Sequence, residues 1–186
     1  MKRCMDIVLA FGASLLLLLP AVLLLLVVKA TSPGPALYWS SRSGRGGRLF
    51  WMPKFRTMKV GTPQVATDKL SDASSRLTPL GGQIRKLSLD EIPQLWSVLT
   101  GDMSLVGPRP ALFNQHELIA ARRNLGIDAL RPGITGWAQI NGRDEISESR
   151  KIALDLEYLQ RHNLGFDFNI LWLTLWRVVR SDGISH

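Results

Sequence analysis

Residues Ile7 to Val28 read IVLAFGASLLLLLPAVLLLLVV, 22 positions with no charge and ten leucines. Such a run is assigned to a bilayer first, because as one straight helix it would be about 33 Å long against roughly 30 Å of hydrocarbon. Pro20 interrupts it. A proline there removes the bond its N–H would give to the Leu16 carbonyl and clashes with that turn. Basic residues flank both ends: Lys2 and Arg3 before, then Lys29, Arg42, Arg45 and Arg48 after, with no acid from Lys29 until Asp68. Positive charge on both sides favours a helix that enters the cytoplasmic leaflet, breaks at Pro20 and returns, with arms Ile7–Leu19 and Ala21–Val28 of about 20 and 12 Å. A plain span competes, since membrane helices tolerate proline. The length of the run and Lys29 disfavour a cleaved signal. Either topology leaves the rest of the chain in the cytoplasm. Residues 1–35 then form a membrane-inserted segment and 36–186 a cytoplasmic domain.

The whole chain has 186 residues, 46% hydrophobic and 20% charged, with a net charge of +8. That composition excludes global disorder and suits one medium domain. A single cysteine, Cys4, excludes an internal disulfide. The positive charge fits an anionic membrane surface and anionic substrates; no nucleic-acid recognition pattern accompanies it. A second membrane signal lies in the tail. Phe166–Arg180 is too short and too polar at its ends to cross, but Trp172, Trp176, Arg177 and Arg180 suit a helix lying in the headgroup plane. An ordinary core helix would be equally apolar.

Between these segments, Thr31-Ser-Pro-Gly-Pro35 ends the first helix. Ala36–Ser40 and Arg48–Trp51 predict a short β-hairpin with a flexible Ser-Arg-Ser-Gly-Arg-Gly-Gly tip. Gly61–Thr78 is polar and aperiodic, a loop able to cover a site. Leu80–Thr100 predicts two helical pieces around Ser88, and Glu117–Asn124 and Glu148–His162 carry helical spacing. The expected architecture is α+β and predominantly helical: a re-entrant N-terminal helix, a short hairpin and amphipathic interfacial helices in one small domain.

The chemistry centres on Ser88-Leu-Asp90-Glu91-Ile-Pro93. Ser88 and Glu91 fit the S-x-x-E capping box, and Asp90 favours the positive end of a helix, which is a purely structural reading. The same geometry serves catalysis. Adjacent acids project in different directions, so one acts on substrate while the other holds a metal or water. The helix end keeps a carboxylate ionised and attracts phosphate. An ionised carboxylate is a covalent nucleophile, and Mg²⁺ is held by one or two carboxylates together with substrate phosphates. Basic residues in turns surround the pair in sequence. Lys54 and Arg56 close the hairpin, and Arg85 precedes the acids. Arg109 stands between Pro108 and Pro110, and Arg131-Pro-Gly-Ile-Thr-Gly-Trp137 leads to Asn141-Gly142-Arg143, where Asn-Gly signals a tight turn. Each arginine alone fits a local salt bridge; together they fit a cradle for a diphosphate.

Lys54–Met58 (KFRTM), Ser88–Pro110 (SLDEIPQLWSVLTGDMSLVGPRP) and Arg131–Arg143 (RPGITGWAQINGR) resemble the bacterial sugar transferases, the monotopic phosphoglycosyl transferases, over nearly the whole chain. The resemblance implies transfer of a sugar-1-phosphate from a UDP-sugar to a polyprenyl (undecaprenyl) phosphate with Mg²⁺, on the cytoplasmic face of a bacterial inner membrane. It implies that Asp90 is the nucleophile of a ping-pong reaction that expels UMP and that Glu91 assists Asp90 with the metal. It further implies that Arg85 binds phosphate. Lys54, Arg56, Pro108-Arg109-Pro110, Arg131, Gln139, Asn141 and Arg143 would line the nucleotide-sugar and lipid-phosphate site. It also implies a re-entrant helix in contact with membrane lipid and leaves room for a homo-oligomer. Two positions depart from the family pattern: Leu19 stands before Pro20 where serine is frequent, and Pro53 stands before Lys54 where an aromatic residue is usual.

A non-enzymatic, membrane-tethered basic scaffold binding anionic lipid or a partner protein explains the charge and the tail. It does not explain rigid arginine turns around an acid pair. A glycosidase is weaker still, since neighbouring residues are hard to place across a sugar ring at the required separation of roughly 5 Å or more.

Overall fold

The computed structural model describes residues 1–65, 70, 72–142 and 146–180, with the side chains of 178–180 left aside. The chain begins with two helices, α1 (Lys2–Leu16) and α2 (Leu18–Thr31), bent by 60° at Leu17. The break therefore precedes Pro20 by three residues, where the sequence predicted it at the proline itself. Proline's missing N–H and its ring act on the carbonyl four residues back, Leu16, so the turn before it gives way. Pro20 sits inside the first turn of α2. No single described helix is long and apolar enough to cross a membrane, whereas the bent pair together has the length and composition.

The helix also starts earlier than the apolar run. Lys2 and Arg3, read from sequence as flanking charges, have tertiary partners, and so does Asp6. Lys2 Nζ donates to Asp167 Oδ2 at 2.6 Å, and Asp6 accepts from Ser104 Oγ and from the Leu105 N–H at 3.1 Å. Arg3 donates to the carbonyls of Val98 and Leu99. Asp6 and Ala10 are buried, so the first turns of α1 belong to the protein core while Leu15, Leu16, Leu18, Leu19, Leu23 and Leu26 stay exposed.

The hairpin is present and longer than predicted. Strands β1 (Leu37–Ser43) and β2 (Leu49–Phe55) pair antiparallel from Leu37↔Phe55 to Ser43↔Leu49, joined through a 3₁₀ turn at Arg45–Gly47. Successive side chains alternate between faces. Ser40 and Met52 are buried on the face that also carries Lys54, and Trp39, Leu49 and Trp51 are exposed on the other. Pro53 is compatible with this because a two-stranded sheet consists of edges.

Leu80–Thr100 breaks at Ser88 as predicted, and once more. Helix α3 (Gly81–Lys86) is followed by a 3₁₀ turn at Leu89–Glu91 and by α4 (Gln94–Thr100), which Pro93 opens. The next elements, β3 (Ser104–Val106) and β4 (Gly133–Thr135), form a parallel pair with Ser104↔Gly133 and Val106↔Thr135. Between them lies α5 (His116–Asn124). Helices α6 (Trp137–Ile140), α7 (Glu148–Arg161) and α8 (Leu164–Arg180) complete the chain. Ser147 caps α7 by accepting from the Arg150 N–H, and Asn163 Oδ1 accepts from the Phe166 N–H at the start of α8. Asn141-Gly142 is a turn, although it ends α6 rather than joining two strands.

The core gathers Ala10 of α1, Met52 of β2, Val98 of α4, Leu105 and Val106 of β3, Tyr158 of α7, and Phe166 and Ile170 of α8. One side of α8 is a core face and the other is open: Phe166, Asp167 and Ile170 are buried, while Phe168, Trp172, Leu175 and Trp176 form an exposed stripe at helical spacing. The predicted loop Gly61–Thr78 contains residues outside those described, 66–69 and 71; elsewhere it holds a bridge between Met58 and Leu77 and a 3₁₀ turn at Ser74–Arg76.

Candidate active site

The capping box expected at Ser88 does not form. Ser88 has φ 55°, in the left-handed region, and its side chain makes no cap bond. A non-glycine residue there costs on the order of 1 kcal/mol, and such outliers concentrate at functional sites. The backbone holds it through Ser88 N–H to the Arg85 carbonyl at 2.9 Å and Glu91 N–H to the Ser88 carbonyl at 3.2 Å. This reversal ends α3 and carries Asp90 and Glu91 into a 3₁₀ turn that packs on β2.

There the acids meet Lys54. On the inward face of β2, its ammonium group lies 3.4 Å from Asp90 Oδ2 and 3.0 Å from Glu91 Oε1. Arg109 Nη2 donates to the same Glu91 oxygen at 3.1 Å. The two carboxylates thus converge on one cation, where the sequence predicted that they would diverge. Asp90 and Glu91 are 7% and 9% exposed. Buried charges persist when paired, and Lys54, Arg85 and Arg109 provide the pairing charge here.

Burial and neighbouring charges set the electrostatics of the pair. Burial pushes the Asp90 carboxyl above the ordinary carboxylate range, and the Glu91 charge adds to that; Lys54 opposes it most strongly, with Arg85 and Arg109 behind. Asp90 and Glu91 lie in the 3₁₀ turn that runs into α4, which starts at Gln94. Three cations from three elements act on the Asp90 carboxyl: Lys54 of β2, Arg85 of the last turn of α3, and Arg109 of the segment after β3.

Glycines bring that last segment into place. Val106 and Thr135, at the ends of the parallel pair, lead directly into Gly107-Pro108-Arg109-Pro110 and Gly136-Trp137. A Cβ on Gly136 would collide with the Gly107 carbonyl oxygen and would stand 2.6 Å from Gln139 Oε1, so only glycine fits. The Arg131-Pro-Gly-Ile-Thr-Gly motif is accordingly a backbone-packing motif.

The remaining predicted residues have other partners. Arg56 is buried and donates Nη2 to the Ser32 carbonyl and Oγ, and Nη1 to the Pro33 carbonyl, fastening the end of α2. Arg131 Nε donates to the Gly101 carbonyl at 2.9 Å, at the end of α4 away from the acids. Gln139 Nε2 donates to the Ile134 carbonyl, while its Oε1 is buried with no partner among the described residues. Asn141 Nδ2 donates to the Trp137 carbonyl. Arg143 lies outside the described residues. The structure therefore brings together Lys54, Arg85, Asp90, Glu91 and Arg109, the last held between Pro108 and Pro110.

The profile of the family described as bacterial sugar transferase matches residues 1–181. The chain belongs to this family. It is 42% identical over 187 residues to the UDP-glucose:undecaprenyl-phosphate glucose-1-phosphate transferase of Xanthomonas campestris pv. campestris, covering 96% of this chain and 38% of that protein. A protein of the same name from Escherichia coli K12 is 39% identical over 186 residues, with 95% and 40% covered. The sugar transferase EpsL of Bacillus subtilis strain 168 is 41% identical over 191 residues, covering 100% of this chain and 90% of that protein. The chain thus spans about two fifths of the first two relatives.

Three residues of this sugar transferase that hold the Pro108–Pro110 segment were not among the site candidates: Arg42, which donates to the Pro110 carbonyl, Arg122, which donates to the Arg109 carbonyl, and Asp155, which pairs with Arg122. Asp155 left a usable signal. It falls beside Leu154 and three residues before Tyr158, on the buried stripe of α7, where an acid requires a cationic partner.

Proposed function

We propose that this bacterial sugar transferase moves a sugar-1-phosphate from a UDP-sugar to undecaprenyl phosphate through a covalent intermediate on Asp90. The observation that carries the reading is the convergence of Lys54 and Arg109, with Arg85 close by, on two buried adjacent carboxylates. The activity of the Xanthomonas and Escherichia relatives, UDP-glucose:undecaprenyl-phosphate glucose-1-phosphate transfer, supports the donor and the acceptor.

In the first step an Asp90 carboxylate oxygen attacks the phosphorus that carries the sugar. The bond from that phosphorus to the bridging oxygen breaks, and UMP departs with the electron pair. In the second step a phosphate oxygen of the lipid attacks the same phosphorus, the Asp90 oxygen–phosphorus bond breaks, and the carboxylate returns. Lys54, Arg85 and Arg109 lower the cost of charge on the phosphate oxygens, in a site where burial strengthens every electrostatic contact. Lys54 also favours the ionised, nucleophilic form of Asp90.

The donor set fits Mg²⁺, which takes one or two carboxylates and completes its shell with substrate phosphates. Among the described residues no group of three or more potential ligands gathers, so the phosphates would have to complete it. Glu91, with Asp90 beside it, would hold the ion, which when bound neutralises charge building on the leaving phosphate.

Placement at a membrane gives both substrates access, since one dissolves in water and the other in lipid. We assign the bent α1–α2 pair to a re-entrant insertion from the cytoplasmic side, and the exposed Phe168, Trp172, Leu175 and Trp176 stripe of α8 to the headgroup layer. The test is intact mass of the detergent-solubilised chain after mixing with a panel of UDP-sugars. The expected result is a sugar-phosphate adduct with stoichiometric UMP release, both lost in Asp90→Asn. Retention of the adduct or of turnover in that variant excludes the assignment.

A further inference from the structure

The Pro108-Arg109-Pro110 segment faces a problem of attachment. Two of its three residues lack an N–H, so hydrogen bonds to its backbone fall chiefly on its carbonyl oxygens. All three carbonyls are engaged, each from a different element. The Pro108 carbonyl accepts from the Gly133 N–H of β4 at 2.9 Å, and the Pro110 carbonyl accepts from Arg42 Nη1 of β1 at 3.1 Å. The middle carbonyl, that of Arg109 itself, accepts from Arg122 Nη1 of α5 at 2.7 Å.

Arg122 is in turn fixed. Its Nε and Nη2 both donate to Asp155 Oδ2 of α7, at 3.0 and 2.6 Å. The two side chains are 11% and 2% exposed. A planar guanidinium held along one edge by a buried carboxylate has little freedom to swing, so its remaining nitrogen is aimed. Burial pushes the Asp155 carboxyl up, and Arg122 is what opposes this most. The chain of contacts runs from Asp155 to Arg122, to the Arg109 backbone, and through the Arg109 side chain to Glu91 at 3.1 Å.

We infer that Arg122 and Asp155 are positioning residues of the transfer reaction: they set where the Arg109 guanidinium stands relative to the acid pair, without touching substrate. This rests on the reading of Arg109 as a group that meets the donor diphosphate. Mispositioning a charged donor by about 1 Å in such a site is enough to cost rate.

A buried ion pair that only supports the fold predicts something different, and a double-mutant cycle separates the two. The readout is kcat/KM for UMP release by the full chain in detergent with undecaprenyl phosphate supplied as acceptor, using the member of a UDP-glucose, UDP-galactose and UDP-N-acetylglucosamine panel that wild type turns over fastest. Arg122→Lys keeps the charge beside Asp155 but loses the fork that reaches two partners at once. The expected loss is about tenfold in the wild-type background and less than about twofold in an Arg109→Ala background. Asp155→Asn, isosteric and neutral, gives the same pattern with a smaller first factor, and serves alone where Arg122→Lys does not fold. Equal factors in both backgrounds, or wild-type kinetics in folded Arg122→Lys and Asp155→Asn, overturn the inference while leaving the proposed reaction intact. Absence of UMP release and of adduct from wild type itself overturns the proposed reaction, and this inference with it.

Discussion

Lys54 and Asp90 face each other at 3.4 Å across the gap between β2 and the 3₁₀ turn before α4, and the same ammonium reaches Glu91 at 3.0 Å. A lysine on the inward face of a strand is explained by these partners, since a part-buried ammonium needs opposite charge to offset its lost hydration. Lys54→Met removes the cation that most favours ionised Asp90 and one of the charges offered to phosphate. The expected outcome is a fall in kcat/KM for UMP release on the order of 10²-fold. Lys54→Arg is expected to restore part of it. Wild-type rates in folded Lys54→Met would remove Lys54 from the site.

Asp90 also links the site to stability. Its carboxyl titrates higher in the folded chain than in an unfolded one because burial disfavours the charge. The folded state therefore keeps its proton to higher pH. As pH rises past the unfolded value, the unfolded chain ionises first and stability falls, until the folded-state carboxyl ionises too. Above both values a constant penalty remains. Asp90→Asn removes it, so this variant should melt no lower than wild type at pH 7 without divalent cation, and the difference should vanish as pH falls below the unfolded carboxylate range. A marked drop in Tm at pH 7 would mean that Asp90 is a stabilising group and not a strained one.

The contacts that anchor α1 are open to a stability measurement. Asp6 is buried and accepts from Ser104 Oγ and the Leu105 N–H, so Asp6→Ala leaves a buried backbone donor without its partner. That costs about 2 kcal/mol, equivalent to a fall in Tm of roughly 4–8 °C for a chain of this size. Thermal unfolding in detergent measures it. Asp6→Asn keeps an acceptor and should lose about half as much.

What the sequence made legible follows from how local each cause is. Helix α7 was readable because its residues recur at helical spacing, and the hairpin because two short runs flank a glycine-rich tip. Strands β3 and β4 were not readable. Each has three residues, and all but Ile134 are buried, so no alternation marks them, and they lie among glycines and prolines whose purpose is close backbone approach. At the site, the acids, Lys54, Arg85 and Arg109 were found by residue type and position in turns. The same criterion selected Arg56 and Arg131, which instead tie down the ends of α2 and α4. An arginine in a rigid turn serves a backbone carbonyl as well as a phosphate, and only the tertiary partner distinguishes the two.

The bend at Leu17 makes the proposed topology testable with the chain's one native cysteine. Cys4 is exposed on α1 and Lys29 is exposed near the end of α2, so a re-entrant pair presents both to the same compartment, whereas a span places them on opposite sides. A membrane-impermeant maleimide should label Cys4 in inside-out vesicles and leave it unlabelled in right-side-out ones. A thiol placed at position 29, by Lys29→Cys combined with Cys4→Ser, should behave identically. Pro20→Ala then examines the cause of the bend. Alanine restores the N–H that the Leu16 carbonyl lacks and removes the ring clash, which together disfavour the straight helix by about 3 kcal/mol. A straightened Lys2–Thr31 would measure about 45 Å, ample to cross the hydrocarbon. Position 29 stays with the domain, because Arg56 holds Ser32 and Pro33 at the end of α2. In Pro20→Ala part of the Cys4 population is therefore expected to move to the opposite compartment, at the cost of the Lys2, Arg3 and Asp6 contacts. Opposite-side labelling at position 29 without the proline substitution would establish a span and retire the re-entrant assignment.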